Sequence, residues 1–163
     1  MDTRLVTVSS IKNKTLKKSG LQWFAAGENA DYLATDFVKV QPEELRNFQQ
    51  VSTDLYQLAV RAAQHIAENN LWQEAGIPET MADVVRYSLR NELDYHLVGR
   101  FDFAGGVDGL PIKLLEFNAD TCSLMPETAQ VQQLHYEQEQ KYLPGSPASN
   151  LVERLTMNFN RIL

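Results

Sequence analysis

The sequence predicts an α+β (or α/β) fold that is mainly helical and contains one β-hairpin. A long helix is indicated because apolar residues recur at three- and four-residue steps after Pro42. The hairpin is indicated because residues 96–103 and, more loosely, 111–118 alternate between apolar and polar side chains. The residues between these runs, 104–110, are rich in Gly and Asp, which is typical of a hairpin connection.

Further helices are expected on both sides of the hairpin. The first begins at Pro42, where two glutamates follow at the positive end of the helix dipole, and it ends near Asn69. Others begin near residues 79, 126 and 151, and the one from 79 is expected to end near residue 95. Residues 1–41 have a mixed composition. A cluster of four lysines in this segment predicts a solvated loop or a short helix: Lys12, Lys14, Lys17 and Lys18.

Length and composition fit one soluble globular domain. The chain has 163 residues, of which 44% are hydrophobic and 22% charged. Its net charge of −6 argues against binding to nucleic acid and to anionic membranes, since both repel an acidic surface. No stretch approaches the roughly 20 apolar residues that span a bilayer. The first residues lack the basic and apolar regions of a signal peptide.

The single cysteine, Cys122, excludes an internal disulfide and a multi-cysteine zinc or iron–sulfur site. A reducing compartment suits this usage, so we expect a cytoplasmic protein. The chain stops inside the amphipathic pattern of its last helix, which predicts that it is one piece of a longer polypeptide. Apolar residues of that helix would then lack a partner and favour a homodimer: Leu155, Phe159 and Ile162.

The hairpin gathers the most unusual set of polar residues. Side chains two apart on a strand project from the same face, so Arg100 joins Asp102, and Glu116 joins Asn118. The alternate positions are apolar: Phe101, Phe103, Leu115 and Phe117. Whether the two polar pairs lie opposite each other depends on the strand register, which the sequence leaves open.

These residue types suit a metal-bound phosphoryl group or an acyl phosphate. Asp102, Glu116 and Asn118 offer the oxygen ligands that Mg²⁺ prefers, and Arg100 offers a planar fork for phosphate or carboxylate. Thr121 and Ser123 precede an expected helix start, where hydroxyls and free N–H groups form a small anion site.

Other interpretations of the same residues remain open. The polar face can be a solvated surface with a cross-strand Arg–Glu pair. The two carboxylates can act as a general acid and base, or bind a metal in a small hydrolase. Cys122 can act as a nucleophile near a helix start.

Two stretches resemble the glutathionylspermidine synthase family, in which an Arg-x-Asp strand is followed by Glu-x-Asn-x-Asp-Thr. The corresponding residues here are Gly-Arg-Phe-Asp at 99–102 and Leu-Glu-Phe-Asn-Ala-Asp-Thr-Cys-Ser at 115–123. Residues 126–132 are similar to the Glu-Ala-x-x-x-Gln stretch of that family. The family often continues Asp-Thr-Pro-Thr-Ser, whereas Cys122 and Ser123 follow Thr121 here.

The resemblance implies the N-terminal, pre-ATP-grasp-like part of an ATP-dependent carboxylate–amine ligase. It implies that Mg²⁺, held by the aspartate, glutamate and asparagine of the hairpin, bridges the phosphates of ATP, and that Arg100 stabilises the transferring phosphoryl group. It also implies that Thr121 and Ser123 bind substrate. The substrates would be a glutathione-like acid and a polyamine-like amine.

In the family the nucleotide-binding lobes follow this part of the chain, so residues 1–163 are expected to be inactive alone. A non-catalytic scaffold or interaction domain derived from the same fold is the alternative function.

Overall fold

The computed structural model describes residues 4–29, 31–90, 96–119, 123–141 and 145–162. They form two compact units, each described here by itself. The first comprises Met1–Gln41 and Ser123–Arg154, and the second comprises Pro42–Cys122 and Leu155–Leu163. The prediction of a single domain stays a prediction.

The described residues contain four strands and five α-helices. The strands are β1 (Leu5–Thr7), β2 (Asp36–Val38), β3 (Arg100–Ala104) and β4 (Lys113–Asn118). The α-helices are α1 (Asn13–Lys18), α2 (Pro42–Asn69), α3 (Ala82–Arg90), α4 (Gln132–Glu139) and α5 (Leu151–Ile162). Short 3₁₀ segments lie at Gln22–Ala25, Gly27–Asn29 and Glu79–Met81, and a π-helical segment at Glu127–Val131 leads into α4. This confirms the α+β class with a helical majority.

The first unit is built around a small apolar core. Its buried residues lie in or near α1, the following 3₁₀ turn and the π-helical segment: Ile11, Leu16, Leu21, Phe24 and Val131. The lysines near α1 are exposed, and Lys17 and Lys18 lie in its last turn, where a positive charge is favourable beside the helix dipole. The lysine cluster is therefore the solvated face of a short helix.

His135 is buried in this unit. The side chain is 2% exposed, and its ring meets the Phe37 ring edge-on with centroids 5.0 Å apart. Neither ring nitrogen has a hydrogen-bond partner among the described residues. Burial lowers the pKa of His135, and the nearby Ser9 backbone and Glu139 carboxylate only partly oppose that effect. The imidazole is therefore uncharged at neutral pH in the folded protein.

The long helix α2 begins and ends as predicted. Pro42 opens it, and Asn70 adopts a left-handed φ of 56° directly after its last residue. The Leu71 N–H then donates to the Ile66 carbonyl at 3.0 Å, which closes the helix end. None of the residues of α2 is fully buried.

The strands β3 and β4 form the predicted hairpin, which packs on α2. The ring of Phe103 lies 5.9 Å from that of Phe48, and the Asp108 N–H donates to Glu44 Oε1 at 3.0 Å. A β-bulge interrupts the pairing after Asp102, so that Phe103 is opposite Leu114. Leu115 was expected on the apolar face, and that expectation is wrong: the bulge removes it from the ladder, and it is 67% exposed.

Other elements agree with the sequence in part. The helix expected from residue 79 is a 3₁₀ turn followed by α3, and residues 91–95 lie outside the described part. The last helix is α5 as predicted, with Phe159 51% exposed; the Ile162 side chain is not described, and the homodimer stays a prediction. The pairing of β1 with β2 was missed. Within the described ranges, no helix is long and apolar enough to cross a membrane.

Substitutions of two glycines in the hairpin connection test how tightly the β3–β4 hairpin packs on α2. Gly106 and Gly109 both have positive φ, so alanine costs about 1 kcal/mol of backbone strain at either position. At Gly106 a Cβ would also lie 2.6 Å from Phe48 Cε1 and 2.8 Å from Ile112 Cγ1, whereas at Gly109 it meets nothing within 4 Å. We therefore expect Gly106→Ala to lower the free energy of unfolding by about 1–3 kcal/mol more than Gly109→Ala, measured by urea denaturation. Equal losses would contradict the packing.

Because His135 is buried, we predict that the free energy of unfolding falls at acidic pH. Because its folded-state pKa lies below the ordinary value of 6.5, the unfolded chain binds the extra proton first, and stability falls as pH drops below about 6.5. Each unit of pKa difference is worth about 1.4 kcal/mol. We expect His135→Phe to flatten the dependence of unfolding free energy on pH between about 7 and 5. The control is exposed His65→Gln, which should keep the wild-type slope; a slope unchanged in His135→Phe would refute the assignment.

Candidate functional site

The register of the hairpin brings four predicted site residues together. Arg100 is the cross-strand partner of Asn118, and Asp102 is the partner of Glu116. Because residues two apart share a face and directly paired residues share a face, all four lie on one side of the hairpin. The side chains of Arg100, Asp102 and Glu116 are 28%, 37% and 57% exposed. The site is therefore open to solvent at its glutamate end.

Arg100 lies between the two carboxylates. Its Nε donates to Asp102 Oδ1 at 2.6 Å and its Nη2 donates to Asp102 Oδ2 at 3.1 Å, which is a bidentate pair. The same Nη2 is 3.6 Å from Glu116 Oε1. One guanidinium thus partly neutralises two carboxylates.

Asn118, the fourth residue on this face, contacts Glu116. Its Nδ2 donates to Glu116 Oε1 at 2.5 Å, the oxygen that also faces Arg100. This hydrogen bond fixes the amide so that nitrogen meets the carboxylate, and the amide oxygen remains the atom with which Asn118 can bind a cation.

The opposite face of the hairpin explains why the polar face is held in this register. The rings of Phe101 and Phe117, directly paired across the strands, stack with centroids 4.1 Å apart. Phe103 stacks on Phe101 at 5.9 Å and reaches Phe48 of α2. A slip of one residue would turn these rings toward solvent, so the apolar face specifies the pairing of the polar one.

His96 is a residue near the site that the sequence did not indicate. Its ring stacks on Tyr56 of α2 with centroids 5.4 Å apart, and its Nε2 hydrogen-bonds with the Ala119 carbonyl, next to Asn118. The ring also closes over Gly99, where a Cβ would lie 2.8 Å from His96 Cε1. His96 therefore secures the end of the hairpin where Arg100 and Asn118 pair.

Arg100 also sets the charge state of the site. Its hydrogen bonds and its positive charge hold the pKa of Asp102 below the ordinary value, although partial burial acts in the other direction. Asp102 is consequently ionised at neutral pH and is available as an anionic ligand.

The donor set consists of residue types from which a magnesium site can be built. Mg²⁺ commonly takes one or two carboxylates and completes its shell with water and substrate phosphates. Asp102, Glu116 and the Asn118 amide supply that number of hard oxygens. Among the described residues, no group of three or more His, Cys, Asp or Glu forms a metal cluster.

The remaining predicted residues come after the end of β4 in the chain. Thr121 and Cys122 lie outside the described residues, so their predicted roles stay predictions. Ser123 is exposed and belongs to the first compact unit, where Leu124 follows it with a φ of 68°.

The described fold and this row of charges define an α+β protein whose hairpin presents two carboxylates, an amide and an arginine on one face. The family model described as glutathionylspermidine synthase preATP-grasp matches residues 4–163. The chain therefore belongs to the glutathionylspermidine synthase preATP-grasp family. Comparison with curated proteins finds no significant match, and comparison with solved structures finds none either.

The Arg100–Asp102 pair predicts a measurable change in titration. In Arg100→Gln the carboxylate loses its two charge-assisted hydrogen bonds, so the pKa of Asp102 should rise toward its ordinary value. Carbonyl-detected NMR titration of the aspartate side chains measures this pKa directly. Exposed Arg61→Gln on α2 removes the same charge and should leave the Asp102 titration where it is. An unchanged pKa in Arg100→Gln would refute the pairing.

Proposed function

We propose that this chain is the N-terminal, pre-ATP-grasp part of an ATP- and Mg²⁺-dependent carboxylate–amine ligase resembling glutathionylspermidine synthase. The observation that carries the proposal is the row of Arg100, Asp102, Glu116 and Asn118 on one face of β3–β4. Membership of the preATP-grasp family supports it, since that description implies a domain that precedes the nucleotide-binding lobes.

The reaction joins a carboxylic acid to an amine in two steps. The substrate carboxylate attacks the γ-phosphorus of ATP, forming an acyl phosphate and releasing ADP. The amine then attacks the acyl carbon, forming the amide bond and releasing inorganic phosphate. Negative charge develops on the phosphoryl oxygens in the first step, and that step needs fixed positive charge and metal.

The hairpin residues supply this electrostatic environment. Asp102, Glu116 and Asn118 would hold Mg²⁺, which when bound neutralises phosphate charge and orients the nucleotide. Arg100 would act on the transferring phosphoryl group. It is well suited because Asp102 holds its guanidinium in a fixed geometry before substrate arrives.

The family relationship supports a choice of substrates. We propose a glutathione-like acid and a polyamine-like amine, with Thr121 and Ser123 binding the acid. We also propose that residues 1–163 are inactive alone, because the lysines and adenine pocket of the nucleotide lobes are supplied by a longer chain. A cytoplasmic location is supported by the single cysteine and by the presence of ATP and reduced thiols in that compartment.

Substitution of the proposed metal ligands in the complete protein tests this function. Glu116→Gln and Asn118→Ala should each lower ATP-dependent amide formation from glutathione and spermidine by about 100-fold or more. Both side chains are surface groups on the polar face, so the thermal midpoint should change little. The assay measures ADP and amide product together.

Exposed Glu74→Gln, which removes the same charge from a loop of the second unit, is the control and should keep full activity. Retained activity in Glu116→Gln and Asn118→Ala would refute the metal assignment. Failure of the wild-type complete protein to bind Mg²⁺–ATP would refute the ligase and favour the scaffold function.

A further inference from the structure

A groove between α2 and α3 lies apart from the hairpin row. It has a volume of about 320 Å³ and is bordered by Gln64, Ala67 and Glu68 of α2 and by Arg86, Leu89 and Arg90 of α3. This volume is at the lower end of the range for ligand pockets, which suits a ligand of a few heavy atoms. Two arginines on α3 line one side of the groove, and a carboxylate on α2 lines the other.

Arg86 is held in a fixed position at this groove. Its guanidinium lies 4.9 Å above the ring of Trp72, which is 5% exposed. Nη1 donates to Asp83 Oδ1 at 3.0 Å, and Nη2 donates to the Asn70 side-chain oxygen. These contacts use two of the five N–H donors of the guanidinium, so a positioned donor set is left for a ligand.

Arg90 doubles the positive charge on the same wall. It follows Arg86 by four residues and therefore lies one turn further along the same face of α3. Like charges at this spacing destabilise a helix by a few tenths of a kcal/mol, and a bound anion would relieve that repulsion. Arg90 is exposed and makes no ion pair within the described residues.

The wall formed by α2 has the opposite character. Gln64 and Glu68 are also four residues apart, and Glu68 makes no ion pair with the arginines in the described part of the chain. An amide and a carboxylate on this side can accept hydrogen bonds from a ligand. A purely anionic ligand would meet repulsion from Glu68, whereas one with an ammonium or hydroxyl group would not.

We propose that this groove binds a small molecule that carries a phosphate or carboxylate group together with an ammonium or hydroxyl group. Arg86 and Arg90 bind the anionic group, and Glu68 with Gln64 binds the donor end. The site is independent of the hairpin row and of the proposed ligase reaction. It supplies the chain with a second, non-catalytic binding function.

Trp72 provides the reporter for the test. In a Trp23→Phe background it is the sole tryptophan, and its ring lies directly under Arg86. O-Phosphoethanolamine and 4-aminobutyrate distinguish phosphate from carboxylate, and inorganic phosphate lacks the ammonium group. Each of the three compounds is titrated into the protein at constant ionic strength. Binding is followed by the fluorescence emission of Trp72 and by isothermal titration calorimetry.

We expect saturable binding of at least one ammonium-bearing probe, tighter than that of inorganic phosphate. Arg90→Gln should weaken it about tenfold, since it removes charge-assisted hydrogen bonds, and Glu68→Gln should abolish the advantage over inorganic phosphate. Arg61→Gln, on α2 outside the groove, is the matched charge control and should bind normally. Absence of heat and of emission change at about 10 mM, or equal affinity in Arg90→Gln, would overturn the proposal.

Discussion

The stacking of Phe101 on Phe117 is the contact on which the candidate site depends. These rings are directly paired across β3 and β4 at a centroid distance of 4.1 Å. Their neighbour Phe103 extends the contact to Phe48 of α2, so the apolar face of the hairpin packs against the long helix. Strand alternation then requires that Arg100, Asp102, Glu116 and Asn118 lie on the opposite face. Packing on one side of the hairpin thus determines the chemistry on the other.

The negative charges of that polar face are partly compensated within the hairpin itself. Two carboxylates face each other across the ladder, which would be unfavourable if they were alone. Arg100 contacts both, and Asn118 donates to Glu116, so each carboxylate has a partner. The internal partners lower the repulsion between the two carboxylates. A cation bound there would compete with Arg100 for the same carboxylate oxygens.

The sequence predicted the elements that depend on long patterns or on turn chemistry. The recurrence of apolar residues at three- and four-residue steps and the Gly-rich connection were sufficient to locate α2 and the hairpin, because period and glycine content are local properties. The pairing of β1 with β2 was missed because each strand has only three residues, too few for an alternation to be visible. The bulge at Leu115 was missed although the two consecutive apolar residues Leu114 and Leu115 interrupt the alternation of that run.

The four hairpin residues were found from their spacing, whereas their mutual contacts were not. Strand spacing predicts which residues share a face, but register is a property of two strands and of what they pack against. Here the decisive partner, Phe48, lies 55 residues before Phe103 in the chain. His96 was missed for a similar reason, since its role rests on Tyr56 and on the Ala119 carbonyl, neither of which is near it in sequence.

Helix α2 supports two different features at separate places along its length. Phe48 and Tyr56 contact the hairpin region, whereas Gln64 and Glu68 border the groove with α3. Tyr56 and Gln64 are eight residues apart, which corresponds to about 12 Å of helix. Substitutions separated by that distance and sharing no partner have effects that add independently. The hairpin and the groove can therefore be altered separately, and a loss of function at one need not disturb the other.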